Sequence, residues 1–395
     1  MTQFEKWNYR LTYASLFVLA AGIFTSVSFS ALSHIFIIIP GFYFAIKFYK
    51  EKPFKLPRSF WFLGAMCIAI VASVLMNTDS IERPFKNISK IKYFLLPMLG
   101  VFAYFYTFKN WMTAKREKVL FNTFLLATTV ATISGIIGLY SGFNPIKMKD
   151  ACHATRACGL YGMYMTYGYG ISLFMVLMTG IVLYKDRFTK YINVNLIYLV
   201  WAINFIGLIL SYARGAWIGF LVALPFFFFK KNRKIFISVI AGVVLVSGLS
   251  FLSPKVREMF FKREGSNTQR IAFYKAAVAA FSEKPVFGFG YRNFEPNVIE
   301  IKKRHNIEWP NVDGHAHNNY LEHLASTGSV GVVVMLLFLS FWLFEAYLTS
   351  VLIFPFVISF LTSGMVQYTF GDGENLFLIM GLWALGVVGV KLRES

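Results

Sequence analysis

Charged side chains are scarce in this chain, at 15% of its 395 residues, whereas hydrophobic residues make up 57%. A water-soluble domain averages about 25% charged and about 45–50% apolar, so a solvated globular surface is excluded over most of the length. Acids are the rarest charges, 19 Asp and Glu against 39 Lys and Arg. No two aspartates stand two apart, and the turn around residues 26–30 carries no acid. Both absences disfavour metal-dependent transfer by an Asp-x-Asp pair or a first-loop acid. There is no Gly-x-x-x-x-Gly-Lys loop for nucleotide phosphates and no His-Glu-x-x-His helix for zinc. No metal and no cofactor is expected. Cysteine occurs three times. Cys67 sits within an apolar run and is expected to be inert. Cys152 and Cys158 share the loop 142–162, expected on the outer side, where a disulfide can form. A metal site from Cys152, His153 and Cys158 is the rival reading, but it lacks a fourth ligand.

What remains is hydrophobic and periodic. Windows of about 20 apolar residues read as membrane-crossing helices. They lie near 11–30, 31–48, 59–76, 91–107, 119–141, 163–184, 192–211, 213–229, 234–252, 324–344, 346–366 and 375–391. The expected fold is therefore an all-α integral membrane protein with about twelve transmembrane helices. Residues 1–252 carry helices one to nine, 253–323 form a large outer loop, and 324–395 hold helices ten to twelve with a short tail. The first run is followed by no small-residue cleavage site and is expected to be an anchor.

Orientation follows from the basic residues. Lys50, Lys52, Lys55 and Arg58, then Lys115, Arg116 and Lys118, then Lys230, Lys231, Arg233 and Lys234 fall on one side of this layout. Short cytoplasmic loops gather Lys and Arg, whereas long segments such as 253–323 translocate regardless of charge. Both termini are thus expected in the cytoplasm. The net charge of +20 reflects insertion and attraction to membrane lipids. Nucleic acid is not an expected partner, because no basic stripe is interleaved with a soluble fold.

Three features of the outer face can carry chemistry. Arg214, in Ser211-Tyr212-Ala213-Arg214-Gly215-Ala216-Trp217, stands between two apolar runs. An ionisable group at such depth is costly and often functional, though an arginine can also snorkel to the interface as an anchor. Arg270 lies on a stretch with helical periodicity, Gln269–Phe281, that runs to Pro285. Gly288 and Gly290 then mark a turn, and an irregular polar segment leads to His315. His315, His317 and Asn318 cluster just before an apolar run, and the chain has only six histidines. Arginine's planar fork binds phosphate oxygens bidentately, and neutral imidazole accepts a hydroxyl proton near pH 7. Together they suit glycosyl transfer from a lipid diphosphate. Asp372 and Glu374 are expected in a solvated outer turn.

The segment His317-Asn318, nine residues, then Gly328-Ser329-Val330-Gly331 resembles the histidine signature of the bacterial O-antigen ligase family. Arg214 in Ser-x-x-Arg-Gly-x-Trp, and Arg270 followed by Pro285-x-x-Gly288-x-Gly290, are similar as well. So is the layout, with its large loop between helices nine and ten. The resemblance implies an enzyme of the bacterial inner membrane whose active site, in a periplasmic loop, moves a glycan from undecaprenyl diphosphate onto a sugar hydroxyl of lipid A–core. It implies an inverting reaction without metal or nucleotide, with His317 as general base and Arg214 and Arg270 binding the diphosphate. His315 and Asn318 stand as substrate contacts. The neighbouring readings are an O-antigen polymerase, then a protein O-oligosaccharyltransferase or a lipid or sugar transporter.

Overall fold

A computed structural model describes residues 1–250, 252–254, 257–258, 264–308 and 312–394; parts of the expected 253–323 loop, and the end of the run at 234–252, lie outside these. The described chain is helical apart from a two-residue hairpin, β1 (Phe143–Asn144) antiparallel to β2 (Lys149–Asp150). In chain order the helices are α1 (Gln3–Gly22), α2 (Val27–Glu51), α3 (Arg58–Leu75), α4 (Pro84–Ile88), α5 (Lys92–Asn110), α6 (Ala114–Ser141), α7 (Tyr164–Leu183) and α8 (Val194–Leu210). They continue with α9 (Arg214–Ala223), α10 (Arg233–Ser250), α11 (Glu264–Glu283), α12 (Phe294–Arg304), α13 (Asn319–Thr349), α14 (Ile353–Gly364) and α15 (Gly373–Glu394).

Among the described residues, seven spans are long and apolar enough to cross a membrane: Val27–Glu51, Arg58–Leu75, Pro84–Asn110, Ala114–Ser141, Tyr164–Leu183, Asn319–Thr349 and Gly373–Leu392. Val194–Leu210, Arg214–Phe227 and Ile353–Gly364 are shorter apolar helices. The protein is thus an all-helical, multi-pass membrane protein. Its main core is aromatic, with Phe44, Phe94, Phe105, Phe174 and Trp383 fully buried. Lipid tails are as apolar as leucine, so helix association relies on close packing and interhelical hydrogen bonds. Gly168 shows the former, since a Cβ there would strike that of Ala213. Asn204 shows the latter, accepting from the Thr132 hydroxyl at 2.7 Å.

Local chemistry moves several boundaries away from where hydropathy alone puts them. The first turn falls at 23–26 because Ser26 caps α2, accepting from the Phe29 N–H. The apolar run expected from 213 to 229 is helical only to Ala223, then tightens to a 3-10 turn over Leu224–Phe227 that contains Pro225. Proline lacks the N–H that would continue the ladder. α13 starts at Asn319, five residues before the expected run, because Asn318 caps it. It also runs through to Thr349, so the break before α14 lies at 350–352.

The segment expected to be irregular before His315 contains α12. Its Val298 and Ile301 join Phe273, Ala276, Ala277 and Ala280 of α11 in a second, smaller core. The helical spacing of those α11 positions turns one face of it onto the membrane bundle. A backbone joint fixes that placement. The Phe289 N–H donates to the Ala325 carbonyl at 2.9 Å, and the Ser329 N–H to the Pro285 carbonyl at 2.8 Å. The joint sits where α13 is broken at Gly328, whose φ is +63°. Gly288 opposite has φ +62°, and a Cβ on it would run into the Ala325 carbonyl. Two glycine motifs far apart in sequence are therefore one interlock, and it positions the helix carrying Arg270.

Candidate active site

Arg214 occupies the first helical position of α9, just after Tyr212, whose backbone is left-handed at φ +49°. Ser211 makes that corner: its hydroxyl donates to the Leu208 carbonyl at 2.7 Å and accepts from the Ala213 N–H at 3.3 Å. The Trp217 indole N–H closes on the same Leu208 carbonyl at 2.9 Å. The Ser-x-x-Arg-Gly-x-Trp pattern is thus a turn that sets an arginine at a helix N-terminus, a position that favours anions. Arg214 reaches Asn267 of α11 at 3.4 Å, and Arg270 lies about one turn further along that helix.

His317 also has a left-handed backbone, at φ +47°, uncommon for a residue with a side chain. The kink delivers the chain into the Asn318 cap. Asn318 Oδ1 accepts from the N–H groups of Tyr320 and Leu321 at 2.8 and 3.0 Å, and its amide donates to the Met365 carbonyl at 2.8 Å. The side chain of Asn318 is engaged with backbone at both ends. Behind the loop, the buried Glu322 accepts the Ala316 N–H at 2.8 Å. Asn319 donates to the Thr369 hydroxyl at 2.9 Å and accepts the Phe370 N–H at 3.1 Å. These contacts tie the histidine loop to the turn between α14 and α15.

The His317 ring faces Gln367, whose Oε1 lies 3.0 Å from Nδ1. With that oxygen accepting, Nδ1 carries the proton and Nε2 keeps its lone pair. Burial lowers the His317 pKa below 6.5, against the Gln367 hydrogen bond that raises it; nearby Arg270 lowers it further. The His315 ring lies against that of His317, 4.2 Å between centroids and tilted by 56°. Burial, and then His317, Arg292 and Arg270, lower its pKa to about 3. Both imidazoles are therefore neutral at pH 7.

Arg214, Arg270 and His317 line one cavity of about 190 Å³, together with Arg156, Tyr169 and Gln269. His315 and Asn318 adjoin His317 but are not part of this lining. Arg156 is a functional candidate that the sequence reading missed. Its guanidinium lies 4.1 Å over the Tyr164 ring, and the residue is buried. It belongs to the loop that the Cys152–Cys158 disulfide closes. The Ala157 N–H pins that loop to the Leu210 carbonyl at 2.8 Å, next to the Arg214 corner. An arginine inside a cysteine-bounded loop was the available signal. For Gln367 there was none, because fifty residues separate it from its histidine.

Asp372 departs from the expected solvated turn. It is half-buried and accepts from the Thr166 hydroxyl at 3.1 Å and the Asn375 amide at 3.2 Å, joining α7 to α15. Burial, reinforced by Glu374, raises its pKa to about 7. It does not line the arginine cavity.

An uncharacterized protein of Haemophilus influenzae is 24% identical over 288 residues, covering 67% of this chain and 66% of that protein. The match thus spans just under two thirds of the relative's length. Residues 197–336 match the model of the O-antigen ligase family. That stretch holds Arg214, Arg270, His317 and the Gly288–Gly328 interlock, whereas Arg156 reaches the cavity, and Gln367 reaches His317, from outside it. Over residues 197–336 the chain carries an O-antigen ligase family domain.

Proposed function

We propose that the protein is an inverting membrane glycosyltransferase that moves a glycan from undecaprenyl diphosphate to a sugar hydroxyl of lipid A–core. The observation that carries this reading is the convergence of Arg156, Arg214, Arg270 and His317 on one cavity. Guanidinium groups of like sign repel one another, and a diphosphate relieves that repulsion while accepting bidentate hydrogen bonds. All twelve apolar runs cross the bilayer in this reading, with both termini cytoplasmic and the cavity at the periplasmic surface. Residues 253–323 form the loop that lays α11 over the donor.

The chemistry is one displacement. Nε2 of His317 takes the acceptor hydroxyl proton as the oxygen's electron pair attacks the anomeric carbon. The bond from that carbon to the diphosphate oxygen breaks, and its electron pair leaves on the diphosphate. Arg214 and Arg270, with Arg156 behind them, stabilise the charge as it develops there. Gln367 holds the imidazole in the tautomer that leaves Nε2 free to accept. Asn318 acts through the loop it caps, and His315 keeps a neutral face beside the base.

The acceptor is tested by complementation of a ligase-deficient cell, with lipopolysaccharide resolved on a gel. Restored long-chain bands are expected. If loss of this gene in its own host leaves single-repeat product, the acceptor is another lipid-linked repeat and the enzyme is a polymerase.

A further inference from the structure

A second cavity, of about 270 Å³, lies beside the end of α6, and Arg156 lines both it and the arginine cavity. Its walls come from the last turns of α6, the β1–β2 hairpin and the loop closed by Cys152–Cys158. The buried Asn144 holds these three parts together. Its Oδ1 accepts from the Ser134 hydroxyl at 2.8 Å and the Lys147 N–H at 3.0 Å, and its amide donates to the Gly159 carbonyl at 3.1 Å. Gly135 of α6 packs against Gly159 so closely that a Cβ on it would strike the Gly159 backbone. The Ala151 N–H closes the hairpin on the Gly142 carbonyl at 2.8 Å. Backbone and one buried amide thus fix the shape of this cavity, and its exposed side chains take no part in that.

Lys147, Lys149 and Asp150 belong to its lining and are exposed. Among the described residues, no hydrogen bond or ion pair engages their side chains. Acids stand among these cations, Asp150 in the lining and Glu374 near Lys147. A phosphate would meet the carboxylate as well as the ammonium groups, and a hydrocarbon would desolvate both. A sugar hydroxyl donates one hydrogen bond and accepts others, so ammonium and carboxylate serve neighbouring hydroxyls together. Tyr161 adds an aromatic wall, its own hydroxyl spent on the Ile23 carbonyl.

We propose that this cavity binds a sugar residue of the donor glycan, its hydroxyls held by Lys147, Lys149 and Asp150. The glycan is covalently joined to the diphosphate, and a cavity that shares Arg156 with the arginine site lies within reach along that chain. The inference rests on the glycan-transfer reading for the identity of its ligand and adds to it a site for the part of the donor that does not react.

Saturation-transfer NMR on the full chain in nanodiscs tests it. The probe is the lipid-free glycan released by mild acid from the host's undecaprenyl-diphosphate-linked pool, and lipid-free core oligosaccharide is the competitor. Saturation of the donor glycan is expected, with no displacement by the core oligosaccharide. Lys149→Gln combined with Asp150→Asn changes two exposed side chains and should weaken binding about tenfold, near the loss of one charged hydrogen bond. Gly162 lines the cavity, and a Cβ on it would meet nothing within 4 Å. Gly162→Leu therefore fills the space without a clash and should abolish the signal. Arg214→Lys should leave it unchanged, because the probe carries no diphosphate. Undiminished binding in Gly162→Leu, loss in Arg214→Lys, or displacement by core oligosaccharide would each overturn the proposal. A chain that transfers the glycan without binding it in this assay overturns the subsite alone. One that binds it here and never transfers it supports the subsite and removes the transfer reading.

Discussion

Both ends of the bundle are cationic, yet their cations sit in different kinds of surroundings. At one end they are spread along loops and helix ends, resting on aromatic faces. Arg116 lies 3.4 Å over Trp111, and Lys230 3.9 Å over Tyr347. Such groups hold helix ends at a membrane surface, and the charge matters more than its geometry. At the other end Arg156, Arg214 and Arg270 share a single cavity with a neutral imidazole. Each is carried by a different device: a disulfide-closed loop, a helix N-terminus and a helix outside the main bundle. A net charge of +20 therefore combines cations dispersed over aromatic faces with cations gathered in one cavity.

The largest effect that would sharpen this contrast is at His317. His317→Ala should lower the turnover of purified enzyme by about 10²–10⁴-fold, the usual contribution of a positioned base, without loss of membrane insertion. The pH profile adds a check on sign. Because burial depresses the His317 pKa, the base stays neutral as pH falls to 6.5, and the acid limb of kcat should lie below that value. A limb above it would indicate a different base.

Next come the arginines. Arg214→Lys and Arg270→Lys should each cost about 10²-fold in kcat/KM, because the charge remains while the bidentate fork is lost. Arg116→Lys at the opposite end should be nearly silent. Equal tolerance of lysine at both ends would erase the distinction between them.

The interlock is a test of position. Gly288→Val places a branched side chain at φ +62° against the Ala325 carbonyl. It should destabilise the loop by about 1–3 kcal/mol, read as easier proteolysis between α11 and α13, with activity falling in parallel. Smallest is Arg156→Ala, expected to raise the donor KM about tenfold, in line with one charged hydrogen bond. Cys152→Ser should reproduce part of that rise, and adding it to Arg156→Ala should change little more. Independent effects would separate the disulfide from the guanidinium.

Much of the architecture was legible from residue types alone, because apolar length and basic loops answer directly to the bilayer. Where hydropathy misled, a polar residue or a proline was responsible. Asn318 starts α13 earlier by capping it, and Pro225 breaks the run after Ala223. α12 went unread because few of its residues are apolar, and its buried side, Val298 and Ile301, is short. In the cavity, Arg214, Arg270 and His317 each stood out locally as a charge or titratable group beside apolar sequence. Arg156 was marked only by the two cysteines that bound its loop, and Gln367 by nothing near it in the chain.

Composition and spacing by themselves determined that this is a multi-pass helical membrane protein, and they singled out two arginines and one histidine. Those properties depend on each residue's own transfer free energy and hydrogen-bonding capacity, which are local. Tertiary structure alone decided that Pro285–Gly290 would lock into the break at Gly328. It also decided that a disulfide-closed loop would bring a third guanidinium and that Gln367 would meet Nδ1 of His317. Those outcomes rest on backbone groups and side chains meeting across long stretches of chain. No single segment encodes such a contact until packing has placed both partners.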